Sequence, residues 1–330
     1  MFNPKKPSIR EDTKASYTKR YRQLQAKFTR EVGAKELLDP DEVVANLIVQ
    51  KPRNAMRTWR HYKAAAIYYI ETFHPEYETA IEQLRAESSR GLKARGVTTS
   101  GAKRKTVPRA SWEGIIKVLE HRGLRGHRHS KALLAVLKAT LLTGLRPNEW
   151  CHSEEGVHDE TGRDVLRVRN SKHSNGRANG EYREMFIDEL NAVERETVQS
   201  ALAYCAVHAE DEELQIRTAL KNELTYAIRW GIDHKFLHER EDFIGITLYS
   251  FRHQFIADAK LTFTDPVLIS SLVGHNSTKT AFEHYGRRRN GRNAIKVTPT
   301  PESVEAVQKV GLETYREFVA SRRPGAFSPD

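Results

Sequence analysis

The chain has 330 residues and a formal net charge of +11, from 54 lysines and arginines against 43 acidic residues. This length allows two domains that each bury a core, and the basic excess favours a polyanionic partner, nucleic acid or anionic membrane. There is no apolar run of about 18 residues and no apolar signal region at the start, so we expect a soluble, intracellular protein. The spacing of Cys151 and Cys205 indicates neither a metal site nor a disulfide.

Residues 11–87 predict a small helical bundle. The motif Asp39-Pro40-Asp41-Glu42 is typical of a helix start, with a capping aspartate, a proline and acidic residues in the first turn. A further helix is predicted over residues 54–73. Apolar residues at helical spacing mark the buried faces of the first and third helices: Tyr17, Tyr21, Leu24 and Phe28, then Trp59, Tyr62, Ala66 and Tyr69.

Basic residues continue from this bundle into the next segment. The third helix carries Arg57, Arg60 and Lys63, which form either a solvated face or a surface for the DNA backbone. Residues 88–110 contain no acid and read as a linker rich in glycine, lysine and arginine. This linker is either a plain tether or a segment that follows the phosphate backbone, and we favour the second interpretation.

The segment 111–330 reads as mainly helical with a small β-sheet. Ser111 is predicted to cap a helix over 112–119, and a buried leucine-rich helix leads into Thr143 and Gly144. Two short strands are predicted at 165–168 and 182–187. Helices are predicted at about 189–208, 211–230, 248–261, 266–273, 278–285 and 301–322. The last of these helices packs either on its own domain or on a neighbouring protomer.

Five residues of this second segment suit metal-independent cleavage of a phosphodiester by a protein nucleophile: Arg146, Lys172, Arg252, His275 and Tyr285. Arginine donates twice to phosphate oxygens and stabilises the charge that develops in the transition state. Lysine can protonate the leaving oxygen, and tyrosine can attack the phosphorus. Rejoining then needs no cofactor, because the phosphotyrosine ester conserves the bond energy. No tetrahedral zinc spacing is found among the residues after the first arginine: Cys151, His152, Glu154, His158 and Asp159.

The local motifs around these five residues resemble those of the tyrosine recombinases, the phage-integrase family. Thr143-Gly-Leu-Arg-Pro-Asn-Glu149 resembles the first arginine box, and Val168-Arg-Asn-Ser-Lys172 resembles the hairpin that carries the family's lysine. Leu248-Tyr-Ser-Phe-Arg-His253 resembles the second arginine box, and Leu272-Val-Gly-His275 resembles the Leu-Gly-His box. The resemblance covers residues 111–290 closely, and the N-terminal half only as a helical, basic domain.

The resemblance implies a role for each motif residue: phosphate clamps Arg146 and Arg252, general acid Lys172, hydrogen-bond donor His275 and nucleophile Tyr285. The chain departs from the family at two positions. Tyr249 stands three residues before Arg252, where the family usually has histidine, and telomere resolvases of the same superfamily use a tyrosine there. Tyr285 lies ten residues after His275, one more than the commonest spacing.

The sequence therefore predicts a site-specific DNA recombinase or integrase that acts through a 3′-phosphotyrosyl intermediate. The resemblance implies a helical core-binding domain (11–87), a basic linker (88–110) and a mixed α/β tyrosine-recombinase catalytic domain (111–330), which form a clamp around duplex DNA. DNA contacts are expected from Arg57, Arg60, Lys63, Arg95, Lys103, Arg104, Lys105 and Arg177.

The resemblance also implies partners and a setting. We expect a homotetramer on two double-stranded recombination sites, accessory DNA-bending or directionality proteins, and a mobile element in a prokaryotic cytoplasm, associated with the nucleoid. A telomere resolvase-like enzyme is an alternative within the superfamily. A non-catalytic DNA-binding protein on a degenerate recombinase fold is an alternative from another class.

Overall fold

The computed structural model describes residues 11–92, 104–171, 173, 178–206, 213–238, 240–278 and 287–307, without the side chains of residues 12, 213, 214 and 240. The chain divides into two compact units, Met1–Gly101 and Ala102–Asp330. The helix predicted at 278–285 lies almost wholly outside the described residues. Of the C-terminal helix predicted at 301–322, residues 301–307 are described, and they are helical.

The described part of the first unit consists of four α-helices: α1 (Glu11–Val32), α2 (Pro40–Val49), α3 (Met56–Phe73) and α4 (Glu78–Ala86). The predicted start of α2 is confirmed as a capping box. The amide of Glu42 donates to Asp39 Oδ1 at 2.9 Å, and the amide of Asp39 donates to Glu42 Oε2 at 3.0 Å. Two backbone donors at the helix start thereby have partners.

The core of the first unit forms where the apolar faces of these helices meet. Tyr21 of α1 stacks on Tyr69 of α3 with ring centroids 4.1 Å apart. Trp59 is fully buried in α3. The buried faces of α1 and α3 follow the helical spacing read from the sequence, because a period of 3.6 residues places every third or fourth side chain on one side.

Besides the helical residues 278 and 301–307, the described part of the second unit holds six α-helices and a four-stranded sheet. The helices are α5 (Arg109–Leu124), α6 (Arg128–Thr143), α7 (Ala192–Ala206), α8 (Glu213–Asp233), α9 (Leu248–Thr262) and α10 (Pro266–Leu272). The strands are β1 (Ser153–Val157), β2 (Asp164–Arg169), β3 (Tyr182–Phe186) and β4 (Thr298–Pro299). This arrangement confirms the prediction of a mainly helical chain with one small sheet.

The sheet is antiparallel in the order β1-β2-β3-β4. Its centre matches the two predicted strands, whereas β1 and the two-residue β4 were not predicted. Leu166 pairs with Met185, and Val168 pairs with Arg183. Leu166, Val168 and Met185 are buried, so one face of the sheet joins the hydrophobic core of this unit.

Helix α6 lies at the centre of the second unit and packs against α5, α7, α8 and α9. Its inner face buries Leu133, Val136 and Leu137. The helix ends at Gly144, which has a φ of +69°, and a Cβ added there would lie 2.2 Å from Phe255 Cδ1. Glycine is therefore required for the turn that leads from the end of α6 to Arg146.

The prediction that Ser111 caps the first helix of the second unit is wrong. Helix α5 begins at Arg109 with Pro108 as its N-cap, and Ser111 is buried within the first turn. Its hydroxyl donates to the carbonyl of Asp242 at 3.2 Å instead. Just before the helix, the amide of Val107 donates to Gln254 Oε1 at 3.3 Å. The last residues of the predicted linker are thus packed onto the second unit.

Candidate active site

Three residues predicted from separate motifs come together around Glu149 in the second unit: Arg146, Arg252 and His275. All four side chains are almost fully buried, with residue exposures of 2%, 0%, 3% and 0% for Arg146, Arg252, His275 and Glu149. Charged groups are rarely buried to this extent unless they are paired. We call Arg146, Glu149, Arg183 and Arg252 the arginine cluster.

Glu149 holds the guanidinium groups of the arginine cluster in place. Arg146 Nη1 donates to Glu149 Oε1 at 2.5 Å, and the Arg146 amide donates to Oε2 at 2.8 Å. Arg252 Nη1 lies 3.7 Å from the same Oε2. Burial alone would raise the pKa of Glu149, but Arg183, Arg146 and Arg252 together hold that pKa well below its usual range. Glu149 is therefore a carboxylate at neutral pH.

Arg252 lies in the second turn of α9 and is fixed by backbone carbonyls. Its Nη1 donates to Gly144 O at 2.6 Å, and its Nη2 donates to Val273 O at 2.6 Å. These bonds connect α9 to the end of α6 and to the turn before His275. Arg252 is therefore held next to the segment that follows α6 and carries Arg146.

His275 follows a tight turn at the end of α10. Gly274 has a φ of +63°, and the amide of His275 donates to Ser270 O at 2.9 Å. The His275 Nε2 atom lies 3.5 Å from Arg252 Nη2. Burial and then the charges of Arg146, Arg252 and Arg183 lower the pKa of His275 well below its usual value. The imidazole is therefore neutral at physiological pH and still able to donate one hydrogen bond.

Arg183 of β3 is the member of the arginine cluster that the sequence motifs did not indicate. It is fully buried, its Nη2 donates to Glu149 Oε2 at 2.9 Å, and its Nε donates to Leu272 O at 2.9 Å. Its Nη1 donates to Asn170 Oδ1. The only sequence signal was an arginine at a position of β3 whose side chain faces inward, and the pairing of β2 with β3 was needed to recognise it.

Tyr249, the predicted substitute for the usual histidine, is half-buried in the first turn of α9. It stands three residues before Arg252, so both side chains leave the helix on the same side. This is the side on which the carbonyls of Gly144 and Val273 meet Arg252.

Lys172, Arg177 and Tyr285 lie outside the described residues, and their assignments stay predictions. The chain on the far side of Tyr285 is anchored to α9. The amide of Arg292 donates to Asp258 Oδ1 at 2.7 Å, and Gln254 Nε2 donates to Asn290 O at 2.9 Å. Burial raises the pKa of Asp258, although hydrogen bonds from the Arg292 amide and from Gln254 Nε2 to Asp258 Oδ1 lower it.

The residues predicted to bind DNA differ in their surroundings. Arg57, Arg60 and Lys105 are exposed, and Arg60 Nε donates to Ser89 Oγ at 3.2 Å. Lys63 Nζ donates to Glu87 O at 2.7 Å and to Arg85 O at 3.0 Å, next to the end of α4. The Arg104 amide donates to Gly245 O at 2.8 Å, and its Nη1 donates to Asp242 O. Arg95 and Lys103 lie outside the described residues.

Lys63 and Arg104 therefore contribute to the structure of their own units, whatever further role they have. The exposed arginines Arg57 and Arg60 are three residues apart in α3 and therefore lie on one side of it.

The two cysteines of the chain are free thiols and lie next to each other, although they are far apart in sequence. A hydrogen bond from Cys151 and then burial raise the pKa of the Cys205 thiol. Within the described residues, no three histidine, cysteine, aspartate or glutamate side chains are grouped so that they could hold a metal ion. None of the described helices is both long and apolar enough to cross a membrane.

No protein-family model matches the chain, and no curated protein matches it. Several solved structures match the chain. A lambda integrase tetramer bound to a Holliday junction has a TM-score of 0.47 at 15% identity, covering 88% of this chain and 75% of that chain. The similarity is to recombinases.

Two further structures are of the same kind. A post-cleavage complex of XerH site-specific recombinase on palindromic difH substrate has a TM-score of 0.40 at 12% identity, with 94% of this chain and 78% of that chain covered. XerA recombinase has a TM-score of 0.33 at 14% identity, with 94% and 93% covered.

Proposed function

We propose that this chain is a site-specific DNA recombinase of the tyrosine-recombinase type, which cleaves and rejoins DNA through a covalent bond to Tyr285. The observation that carries the proposal is the convergence of Arg146, Arg252 and His275. They come from three motifs spread over 130 residues, and the resemblance implies phosphate binding for each motif. A structural ion pair would not require this particular combination of residue types.

In the proposed reaction, two arginines of the arginine cluster bind the scissile phosphate. Arg146 and Arg252 donate to its non-bridging oxygens, and neutral His275 adds a further donor. Glu149 orients both arginines before DNA arrives, so little reorganisation is needed when charge develops on the phosphate oxygens. Tyr249 would add a hydroxyl donor in place of the usual histidine.

The chemical step exchanges one ester for another. The Tyr285 oxygen forms a bond to phosphorus and loses its proton to water, while the bond from phosphorus to the 5′ oxygen breaks. The electron pair of that bond stays on the 5′ oxygen, which takes a proton from the Lys172 ammonium. The products are a 3′-phosphotyrosine and a free 5′-hydroxyl, and the reverse reaction with a partner strand rejoins the DNA.

DNA binding outside the site is proposed to use exposed cations of both units. Arg57 and Arg60 of α3 and Lys105 of the second unit are suited to backbone phosphates, which would make the affinity depend strongly on salt. The clamp around duplex DNA, the homotetramer on two sites and the accessory proteins remain predictions from the resemblance.

The test is covalent trapping on a nicked suicide substrate drawn from the DNA that flanks the gene. Wild-type protein should form an adduct that survives denaturation, and Tyr285→Phe should form none while it still binds the same DNA. Tight binding without an adduct in both proteins would instead support the non-catalytic DNA-binding protein.

The telomere resolvase-like alternative has one observation in its favour, the position of Tyr249 on the same side of α9 as Arg252. Product analysis on an intact, religatable substrate distinguishes it. A telomere resolvase should convert a cleaved inverted repeat into covalently closed hairpin ends, whereas a recombinase should join strands from two different duplexes.

A further inference from the structure

Helices α1 and α3 place an arginine of one helix beside a histidine of the other in the first unit. Tyr17 and Arg20 are three residues apart on α1, and α3 packs against this helix. The Tyr17 ring meets the His61 ring edge to face, with centroids 5.7 Å apart. The Arg20 guanidinium lies over the ring of Tyr62, 5.8 Å from its centroid. Arg20 is therefore held next to His61, which precedes Tyr62 in α3.

A second arginine comes from α3 itself. Arg57 stands one turn before His61, so both side chains leave α3 on the same side. Arg57 is exposed, and Arg20 and His61 are half-buried, so solvent reaches all three. Neither arginine forms an ion pair with another described residue. We call Arg20, Arg57 and His61 the α1–α3 site.

The α1–α3 site contains no acidic group among the described side chains. The groups that act on His61 come from both helices and are aromatic or basic: Tyr17 and Arg20 of α1, and Arg57 of α3. The described acids of the two helices are paired with other cations: Glu11 with Lys14, Glu31 with Lys27, and Glu71 with Arg85 of α4. The positive charge of the site is therefore left uncompensated, which suits it to an anion.

The protonation of His61 depends on the two arginines. Burial, and then the charges of Arg20 and Arg57, lower the pKa of His61 below its usual value. The imidazole is therefore neutral in the free protein at neutral pH. An anion bound between the arginines would offset their charges, and this favours the protonated imidazole.

We propose that the α1–α3 site binds a phosphate of the DNA backbone and that His61 takes up one proton from solvent when it does so. Arginines suit a phosphodiester because a guanidinium donates to two oxygens and stays charged. Protonated His61 adds a third positive charge next to the same phosphate. The inference rests on the DNA binding of the proposed function, and it is independent of the covalent step at Tyr285.

The coupling between proton uptake and DNA binding has a definite sign. If the pKa of His61 is higher in the complex than in the free protein, the complex holds more protons at every pH between these two values. The affinity for DNA then rises as the pH falls through the pKa of the complex, by at most about tenfold per pH unit. It stops rising below the pKa of the free protein.

The experiment measures the dissociation constant of the full-length protein for a short duplex from the DNA that flanks the gene, from about pH 7.5 to about pH 5.5. The ionic strength is kept constant, because phosphate contacts depend strongly on salt. His61→Gln removes the proton site, and the matched control His74→Gln removes a histidine of the same unit that lies 3.5 Å from Glu76. Arg20→Gln removes one cation of the site, and its control Arg22→Gln removes an exposed arginine of the same helix.

The readout is the gain in affinity between the two ends of this pH range, because loss of a cation by itself weakens binding at both ends. We expect His61→Gln to lose about three- to tenfold of the wild-type gain and His74→Gln to keep it. Arg20→Gln should bind more weakly and lose most of the gain, since the pKa of His61 in the free protein then rises toward its usual value. Arg22→Gln should keep the gain, whatever its affinity.

A direct measurement on the unsubstituted protein does not depend on whether the variants fold. The ring signals of His61 are followed by NMR through the same pH range, with and without a saturating amount of the duplex. We expect the pKa of His61 to be higher in the complex than in the free protein.

An equal gain for wild type and His61→Gln would overturn the inference, and so would a pKa of His61 that is unchanged or lower in the complex. A complex that shows the expected pH dependence but gives no covalent adduct would refute the recombinase and leave the α1–α3 site intact. Absence of any DNA binding by the wild-type protein would refute both.

Discussion

Two buried clusters of arginine and glutamate lie in the second unit, and they differ in composition. In the first, Arg122 of α5 pairs with Glu223 of α8 at 3.1 Å, and Ser130 of α6 donates to the same carboxylate at 2.5 Å. This cluster contains one guanidinium group and one carboxylate, and its contacts connect α5, α6 and α8. In the arginine cluster, three guanidinium groups share Glu149 among the described side chains.

The difference in composition indicates a difference in role. In a buried pair of opposite charges, the mutual attraction offsets the cost of removing both groups from water. Such a pair also contributes to how the helices are arranged. A group of arginines oriented by a single carboxylate instead presents donors suited to an anion such as a phosphate. We therefore expect substitutions in the first cluster to change stability, and those in the second to change chemistry.

The largest effect should come from breaking the first pair. Arg122→Met leaves the Glu223 carboxylate largely buried without its partner, and we expect the free energy of unfolding to fall by about 3–5 kcal/mol. Urea unfolding measures this loss, with the exposed Arg128→Met as control. The assignment of this pair to stability alone would be wrong if folded Arg122→Met protein also formed the covalent adduct much more slowly than wild type.

A substitution in the arginine cluster should have the opposite outcome. Arg146→Lys keeps the charge but removes the planar fork, and we expect adduct formation to slow by about 10²–10³-fold with DNA affinity nearly unchanged. Single-turnover trapping together with a binding titration separates the two quantities. Arg125→Lys, an exposed arginine of the same unit, is the control. A wild-type rate for Arg146→Lys would argue that Arg146 is structural.

Ser130→Ala tests how far the hydroxyl supports the first pair. The hydroxyl donates to a charged acceptor, so its removal should lower the free energy of unfolding by about 1.5–3 kcal/mol. Thermal unfolding measures the change, and the rate of adduct formation per folded molecule should be unaffected. A loss of activity without a loss of stability would contradict the assignment of this pair to structure.

The smallest effect is a pH dependence that arises from His275. Its pKa in the folded protein lies below the roughly 6.5 of an unfolded histidine, so between these values the unfolded chain binds the extra proton. The contribution of neutral His275 to the free energy of unfolding is fully present above about pH 6.5. It is lost as the pH falls below that value, by up to about 1.4 kcal/mol per pH unit. Urea unfolding from pH 7.5 to 5 should show a shallower slope for His275→Gln than for wild type. His234→Gln, an exposed histidine, should keep the wild-type slope.

Local patterns in the sequence determined most of the helices and the identity of the candidate site. The capping box at Asp39 and the stripe of Tyr21, Leu24 and Phe28 depend on hydrogen bonds and contacts within a few residues, so they can be read without a fold. Likewise Arg146, Arg252 and His275 were found because each stands in a short motif with characteristic neighbours.

Only the tertiary structure placed the residues whose role depends on distant partners. Arg183 stands in no motif, and Asn170 was not singled out within the motif that contains it. Both join the site because β3 pairs with β2 and the turn before His275 packs against them. Ser111 looked like a helix cap, but its hydroxyl bonds to the Asp242 carbonyl far along the chain. Cys151 and Cys205 lie side by side although their spacing gave no sign of it. The sequence by itself determines contacts between near neighbours, whereas buried polar contacts between distant segments are determined only when the packed fold supplies each donor with its acceptor.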